Sequence, residues 1–169
     1  LFNLRSLFLK KDPKIITSKY GYKVFDRENP NIKIEFFHEL VGSQTYKFGL
    51  KNRAFSLANE YLIDQLDFKD GDVVLDCGAN IGDFKLWFEY NKIKINYFGF
   101  EPSPKEYSLL VKNVYPSKCF NIGLLDKEEY LDFYLSSQEA DSSFFSPKFY
   151  DEIIKVKVKR LEGFIEKPI

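Results

Sequence analysis

Methionine is absent from the 169 residues, histidine and tryptophan occur once each, and cysteine occurs twice. A chain that opens on Leu1 and holds no Met anywhere reads as a fragment or as trimmed. The two cysteines, Cys77 and Cys119, stand 42 positions apart with no CxxC spacing, so neither a zinc site nor a disulfide framework is indicated. They read as two reduced, buried thiols of a cytoplasmic protein. Neither sign of charge is in excess, with 25 Lys plus Arg against 25 Asp plus Glu, so nothing marks the chain for a phosphate backbone and no nucleic acid is indicated. No apolar run approaches the roughly 18 residues of a membrane span. Residues 1–11 are interrupted by Arg5 and lack a small-residue cleavage site, which makes a poor signal peptide.

Aromatic residues are plentiful. They make up 18% of the chain, 18 of them Phe and 11 Tyr, which supplies a packed interior and argues against disorder. The length fits one domain. Within it, residues 1–50 read as a strand and hairpin extension and residues 51–169 as the cofactor-binding half of a larger α/β domain. Over 14–41 the pattern is strand-like, clearest where Ile32, Ile34 and Phe36 alternate with Lys33 and Glu35. Over 53–66, Ala54, Phe55, Leu57, Ala58, Tyr61, Leu62 and Leu66 recur at helical spacing, and turn residues follow at 67–72.

The texture then changes to short apolar runs separated by helices, as in a parallel sheet buried on both faces. The runs cover 73–75, 97–100 and 119–125. A helix over 84–91 carries Phe84, Trp87 and Phe88 on one face. A second is signed by Ser103 as N-cap, Pro104 at the first position and Glu106 as capping-box acid; Pro116 stops it. Strand, helix, strand, helix, strand is half of a doubly wound sheet. Alternation over 130–135 and 153–160 predicts two half-exposed antiparallel strands, the lysines 155, 157 and 159 forming a solvated face.

The first core strand runs into Asp76-Cys77-Gly78-Ala79-Asn80-Ile81-Gly82 and a helix follows at once. Gly78 lets a ligand approach the backbone, Gly82 permits close packing of helix on strand, and free amides at the helix start are expected to face the ligand. Glu101 ends the next strand 19 positions after Gly82, where a carboxylate accepts both hydroxyls of a ribose. A dinucleotide fingerprint carries no acid two residues ahead of its first glycine. An acid there, Asp76, sits badly beside a pyrophosphate and well beside an ammonium group, so S-adenosyl-L-methionine fits better than NAD.

Residues 73–84 (VVLDCGANIGDF), 100–104 (FEPSP), the strand end Asn121-Ile122-Gly123-Leu124 and Asp141-Ser142-Ser143 resemble the FkbM family of S-adenosylmethionine-dependent methyltransferases, over about 70–164. The resemblance implies a Rossmann-like class I methyltransferase fold and methyl transfer to an oxygen, often of a sugar or secondary metabolite, hence a small-molecule or glycan acceptor. The cofactor set is then Asp76, Gly78, Ala79, Asn80, Gly82, Glu101, Pro102, Ser103, Gly123 and Asp126, with no metal. In that family a strand ending in Lys-x-Asp-x-Glu-Gly follows. The triplet Leu161-Glu162-Gly163 lacks the Lys-x-Asp, so the chain is expected to stop before the second half of the sheet.

No base is assigned. His38, in the aromatic stretch Phe36-Phe37-His38, reads as structural. Asp126 either reaches an adenine edge or is a solvent-exposed loop acid, and Ser142 and Ser143 line the site by resemblance only. Other classes stay open: a binding module that holds the cofactor without catalysis, an NAD- or nucleotide-binding domain, and, more weakly, a nucleic-acid methyltransferase.

Overall fold

The structure, a computed structural model, describes residues 14–19, 21–37, 39–136 and 142–164; His38 and Asp141 lie outside the described residues. Among the described residues, three three-stranded sheets and four α-helices form a mixed α/β arrangement. The first sheet is antiparallel, β1 (Lys14–Ser18), β2 (Gly21–Phe25) and β3 (Lys33–Phe36). Its alternation works as read from the sequence: Ile32, Ile34 and Phe36 are buried and Lys33 is exposed. The strand pattern does not run on to residue 41, because α1 (Glu39–Thr45) begins two residues earlier. Consecutive aromatics at 36 and 37 break the period of two. Gly42 then lets the helix sit against Phe36, whose ring occupies the place where a Cβ would stand.

Helix α2 (Leu50–Glu60) buries Leu50, Ala54, Leu57 and Ala58, one face at intervals of three and four. It starts earlier and ends earlier than its apolar pattern suggests. Leu62 adopts a left-handed conformation (φ 58°), which rotates the chain so that Ile63 is buried while Tyr61, Leu62 and Leu66 are exposed.

The central sheet is parallel, in the order β4 (Val73–Cys77), β5 (Asn96–Phe100), β6 (Lys118–Phe120), with α3 (Leu86–Asn91) and α4 (Pro104–Asn113) in the crossovers. Only the middle strand is well enclosed. Tyr97, Gly99 and Phe100 of β5 are buried, whereas β4 pairs on one side alone among the described strands and leaves Val73 exposed. Cys77 ends that edge strand and is exposed, Cys119 is half-buried, so the expected pair of buried thiols is not formed.

The third core strand also departs from the continuous run expected over 119–125. The chain leaves β5 at Asn121 and re-enters pairing as β7 (Gly123–Leu124), parallel to β9 (Glu152–Lys159), with β8 (Glu129–Leu135) antiparallel on β9's other side. On β9, Val156 and Val158 are buried; Lys155 and Lys157 face out, Lys155 pairing with Asp132 at 2.9 Å. One apolar cluster runs through the molecule. It joins Val24, Ile34 and Phe36 of the first sheet to Ala54 and Ala58 of α2, Val74 of β4, Trp87 and Phe88 of α3, and Leu110 and Val114 beside α4. Each large side chain removed from water there contributes roughly 1.5–3 kcal/mol. Among the described residues no helix is long and apolar enough to cross a membrane.

Candidate functional site

The C-terminal ends of β4 and β5 lie side by side, Asp76 opposite Gly99 and Cys77 opposite Phe100. The turn after β4 is therefore built against the turn after β5, which is where ligands of open parallel sheets bind. Gly78 (φ 84°) and Asn80 (φ 48°) take left-handed conformations that fold the chain back on itself. The turn is fastened by its own amides: Gly78 and Ala79 both donate to the Phe100 carbonyl at 2.9 Å, Asn80 donates to Glu101 Oε2 at 2.8 Å, and Gly82 donates to the Ala79 carbonyl at 2.8 Å. The amides expected to face a ligand are thus spent within the protein. The segment after Gly82 is a short 3-10 turn, Asp83–Lys85, which leads into α3.

Glu101 is 6% exposed and has each oxygen on a backbone amide, Oε2 on Asn80 and Oε1 on Ser103 at 2.8 Å. Burial pushes its carboxyl up to about 7, against the pull of those two amides. Its backbone is held as well, since Glu101 donates to the Phe120 carbonyl at 3.0 Å and Asn121 Nδ2 donates to the carbonyls of Glu101 and Pro102 at 2.8 and 3.0 Å. Those bonds are the reason the chain leaves the sheet at Asn121. Pro102 and Ser103 are buried beside it. Ser103 does head α4, but its hydroxyl bonds the Glu106 carboxylate rather than a backbone N–H, so the capping box is replaced by a side-chain pair.

Asp76 is partly buried, and Tyr97, two positions along on β5, donates its hydroxyl to Oδ2 at 2.5 Å. Burial raises the Asp76 carboxyl, the Tyr97 bond opposes that, and Asp83 adds to it. Burial and the Asp76 charge raise the Tyr97 hydroxyl in turn. Among the described residues neither Asp76 nor Glu101 has a Lys or Arg ion-pair partner. A buried and a partly buried carboxylate at adjacent strand ends, without a Lys or Arg partner among the described residues, leave acceptor capacity for hydroxyl or ammonium donors.

The two glycines of the turn differ. A Cβ at Gly78 would meet nothing within 4 Å, whereas one at Gly82 (φ 93°) would stand 2.4 Å from Val114 Cγ1 and 3.1 Å from Leu110 Cδ1. Gly78 borders open space; Gly82 lets the turn pack on α4. Gly123 is buried under Phe144, whose ring lies 2.4 Å from the place of a Cβ. Asp126 is exposed between β7 and β8, with no hydrogen bond to the Asp76–Glu101 group among the described residues. Ser142 and Ser143 bond the loop itself: Ser142 Oγ accepts the Ser136 amide at 3.2 Å and Ser143 bridges Tyr134. Residues 161–163 form a 3-10 turn that brings Phe164 onto the rings of Phe100 and Phe120, at 5.2 and 4.8 Å.

The sequence assigns no role to three supports of this site, Tyr97, Asn121 and Asp83, although Asn121 and Asp83 stand within the stretches that carry the resemblance. Asp83 accepts the buried Tyr46 hydroxyl at 2.6 Å and Arg53 Nε at 3.0 Å, so the segment after the glycine turn is clamped by α2 and by the residue following α1. Asn113, at the end of α4, donates to the Ile81 carbonyl at 2.8 Å and exchanges bonds with the backbone of Glu35. The partners of Asp83 and Asn113 come from far along the chain and carry no local pattern.

No protein-family model matches the chain, and no curated protein does. Among solved structures it is similar to the methyltransferase FkbM of Methylobacillus flagellatus, at 16% identity and a TM-score of 0.42, over 62% of this chain and 25% of that one. The chain therefore spans a quarter of the length of that structure.

Proposed function

We propose that the chain carries the cofactor site of an S-adenosylmethionine-dependent methyltransferase that acts on a hydroxyl oxygen of a small-molecule or glycan acceptor. The observation that carries this reading is the use of the turn's amides. A pyrophosphate needs several free N–H groups at the glycine turn, but those of Gly78, Ala79, Asn80 and Gly82 are taken. What remains is a pair of acceptors, Asp76 and Glu101, beside the open space over Gly78. That acceptor set fits an ammonium group and a ribose and fits a dinucleotide poorly.

In this reading Glu101 accepts the ribose hydroxyls with the lone pairs its two amides leave over, and Asp76, oriented by Tyr97, accepts the ammonium group. When bound, S-adenosylmethionine supplies a methyl group on a sulfonium sulfur, which an aligned acceptor oxygen displaces in line. Asn121 and Asn80 are positioning residues that hold Glu101.

Calorimetric titration with S-adenosylhomocysteine tests the proposal. Saturable binding is expected, weakened by about tenfold or more, above 1.4 kcal/mol, in Asp76→Ala and Glu101→Gln. A folded protein that fails to bind it, or that binds NADH without competition from S-adenosylhomocysteine, overturns the reading.

A further inference from the structure

Helix α2 ends in a way that turns apolar side chains outward. Tyr61 donates its amide to the Leu57 carbonyl at 2.9 Å and closes the helix, and Leu62 follows with φ 58° and ψ 21°. A left-handed residue directly after a helix is most often glycine, because a Cβ there crowds the following carbonyl. Leucine at this position costs free energy that glycine would spare, and its side chain, 55% exposed, recovers little of it by burial. Tyr61 is 63% exposed and Leu66 59%. Exposed apolar residues scattered singly are ordinary. Three within six positions, one of them on an unfavourable backbone, call for a partner.

The base of this surface is fixed. Ile63 is buried and opens the 3-10 turn Ile63–Gln65, which the Leu66 amide closes on the Ile63 carbonyl at 3.1 Å. The Tyr61 ring stands edge-on to Phe84 at 5.5 Å. The charge around it is of one sign. Glu60, Asp64 and Asp67 stand among Tyr61, Leu62 and Leu66, and no Lys or Arg occurs from 59 to 67. Glu60 and Asp64 are exposed and form no ion pair among the described residues. Asp67 has Lys69 at 3.3 Å, an exposed pair that water screens. Acids around an apolar centre repel nucleic acid and anionic lipid and attract a partner of the opposite sign.

We propose that the end of α2 is a docking surface for a basic amphipathic segment of a partner protein, one that carries leucine-like side chains between lysines or arginines. Tyr61, Leu62 and Leu66 receive its apolar side chains, and Glu60 and Asp64 receive its cations. The surface does not depend on what binds beside Asp76 and Glu101.

Fluorescence anisotropy with two labelled probes tests this, a helical peptide of leucine and lysine and its counterpart with glutamate in place of lysine. The lysine peptide is expected to bind saturably, the glutamate peptide weaker by about tenfold or more. Leu62→Gly removes the apolar side chain and relieves the left-handed backbone, so it should weaken the lysine peptide by about tenfold while the thermal midpoint does not fall. Leu66→Gln, which alters one exposed side chain, should weaken it as well. Glu60→Gln with Asp64→Asn should weaken it and flatten its dependence on salt between about 50 and 300 mM. Phe145→Ala, at an 84% exposed ring far along the chain, should leave it unchanged. Absence of saturable binding, equal affinity for the glutamate peptide, full affinity in either leucine variant, an equal loss in Phe145→Ala, or retention of the chain on phosphatidylserine vesicles overturns the proposal.

Discussion

The Glu101 carboxylate, at the end of β5, accepts the backbone N–H of Asn80 at 2.8 Å from the turn that follows β4. One bond thereby makes a single structure of two turns that the sequence separates by 21 residues. The carboxylate is held where water barely reaches it, and burial outweighs the pull of this bond on its ionisation.

Burial pushes the Glu101 carboxyl up to about 7 from an ordinary 4.5. Between these values the folded chain keeps a proton that the unfolded chain has released. Stability is therefore expected to fall as the pH rises from about 4.5 through about 7, by on the order of 3 kcal/mol at most, and to level off above. The raised carboxyl of Asp76 acts in the same direction. In Glu101→Gln, which cannot ionise, urea unfolding at about pH 5 and about pH 8 should differ by clearly less than in the unaltered chain. An equal difference would show that Glu101 is not the titrating group.

Gly78 and Gly82 should respond differently to alanine. Gly82→Ala forces a Cβ to within 2.4 Å of Val114 and strains a φ of 93°, and is expected to destabilise the fold by about 2–4 kcal/mol. Gly78→Ala meets no atom, so its cost is the left-handed backbone alone, about 1 kcal/mol. Its Cβ nonetheless enters the space proposed for the cofactor, so S-adenosylhomocysteine affinity should drop although the fold persists. Denaturation and calorimetry on both variants check the contrast.

Asp83 is the clamp on the segment after the glycine turn. Asp83→Ala leaves the Tyr46 hydroxyl buried without its acceptor and frees Arg53, and should cost about 2 kcal/mol. Tyr46→Phe removes the donor with the acceptor still held by Arg53, and should cost less than half as much. Thermal melts of the two variants read the difference directly.

Asn121→Ala removes both bonds that pin the Glu101-Pro102 turn while touching no core side chain. Loss of stability near 1 kcal/mol is expected, together with a larger proportional loss of S-adenosylhomocysteine affinity. A loss of stability with unchanged affinity would remove Asn121 from the positioning set.

The local patterns in this chain were read directly where neighbours in sequence are also neighbours in space. Alternation at 32–36 and 153–158, and the signals around Ser103 and Pro104, mark elements whose burial repeats with the backbone period. The acid-glycine turn and Glu101 were visible for the same reason, since each ends a short apolar strand. Where an element stops was less legible. Asn121 leaving the sheet is decided by the carbonyls of Glu101 and Pro102, which the local sequence does not contain.

By itself, then, the sequence determined the alternation of strand and helix from β4 to β6, the inward faces of several strands and the presence of two acids flanking a glycine turn, because these follow from backbone periodicity and conformational freedom. Only the tertiary structure decided that the turn's amides are consumed by Phe100 and Glu101, that Tyr97 orients Asp76, and that Asp83 and Asn113 fasten the turn to α2 and β3. Hydrogen bonds between residues 20 to 80 positions apart depend on how strands are laid side by side, and no local repeat encodes that.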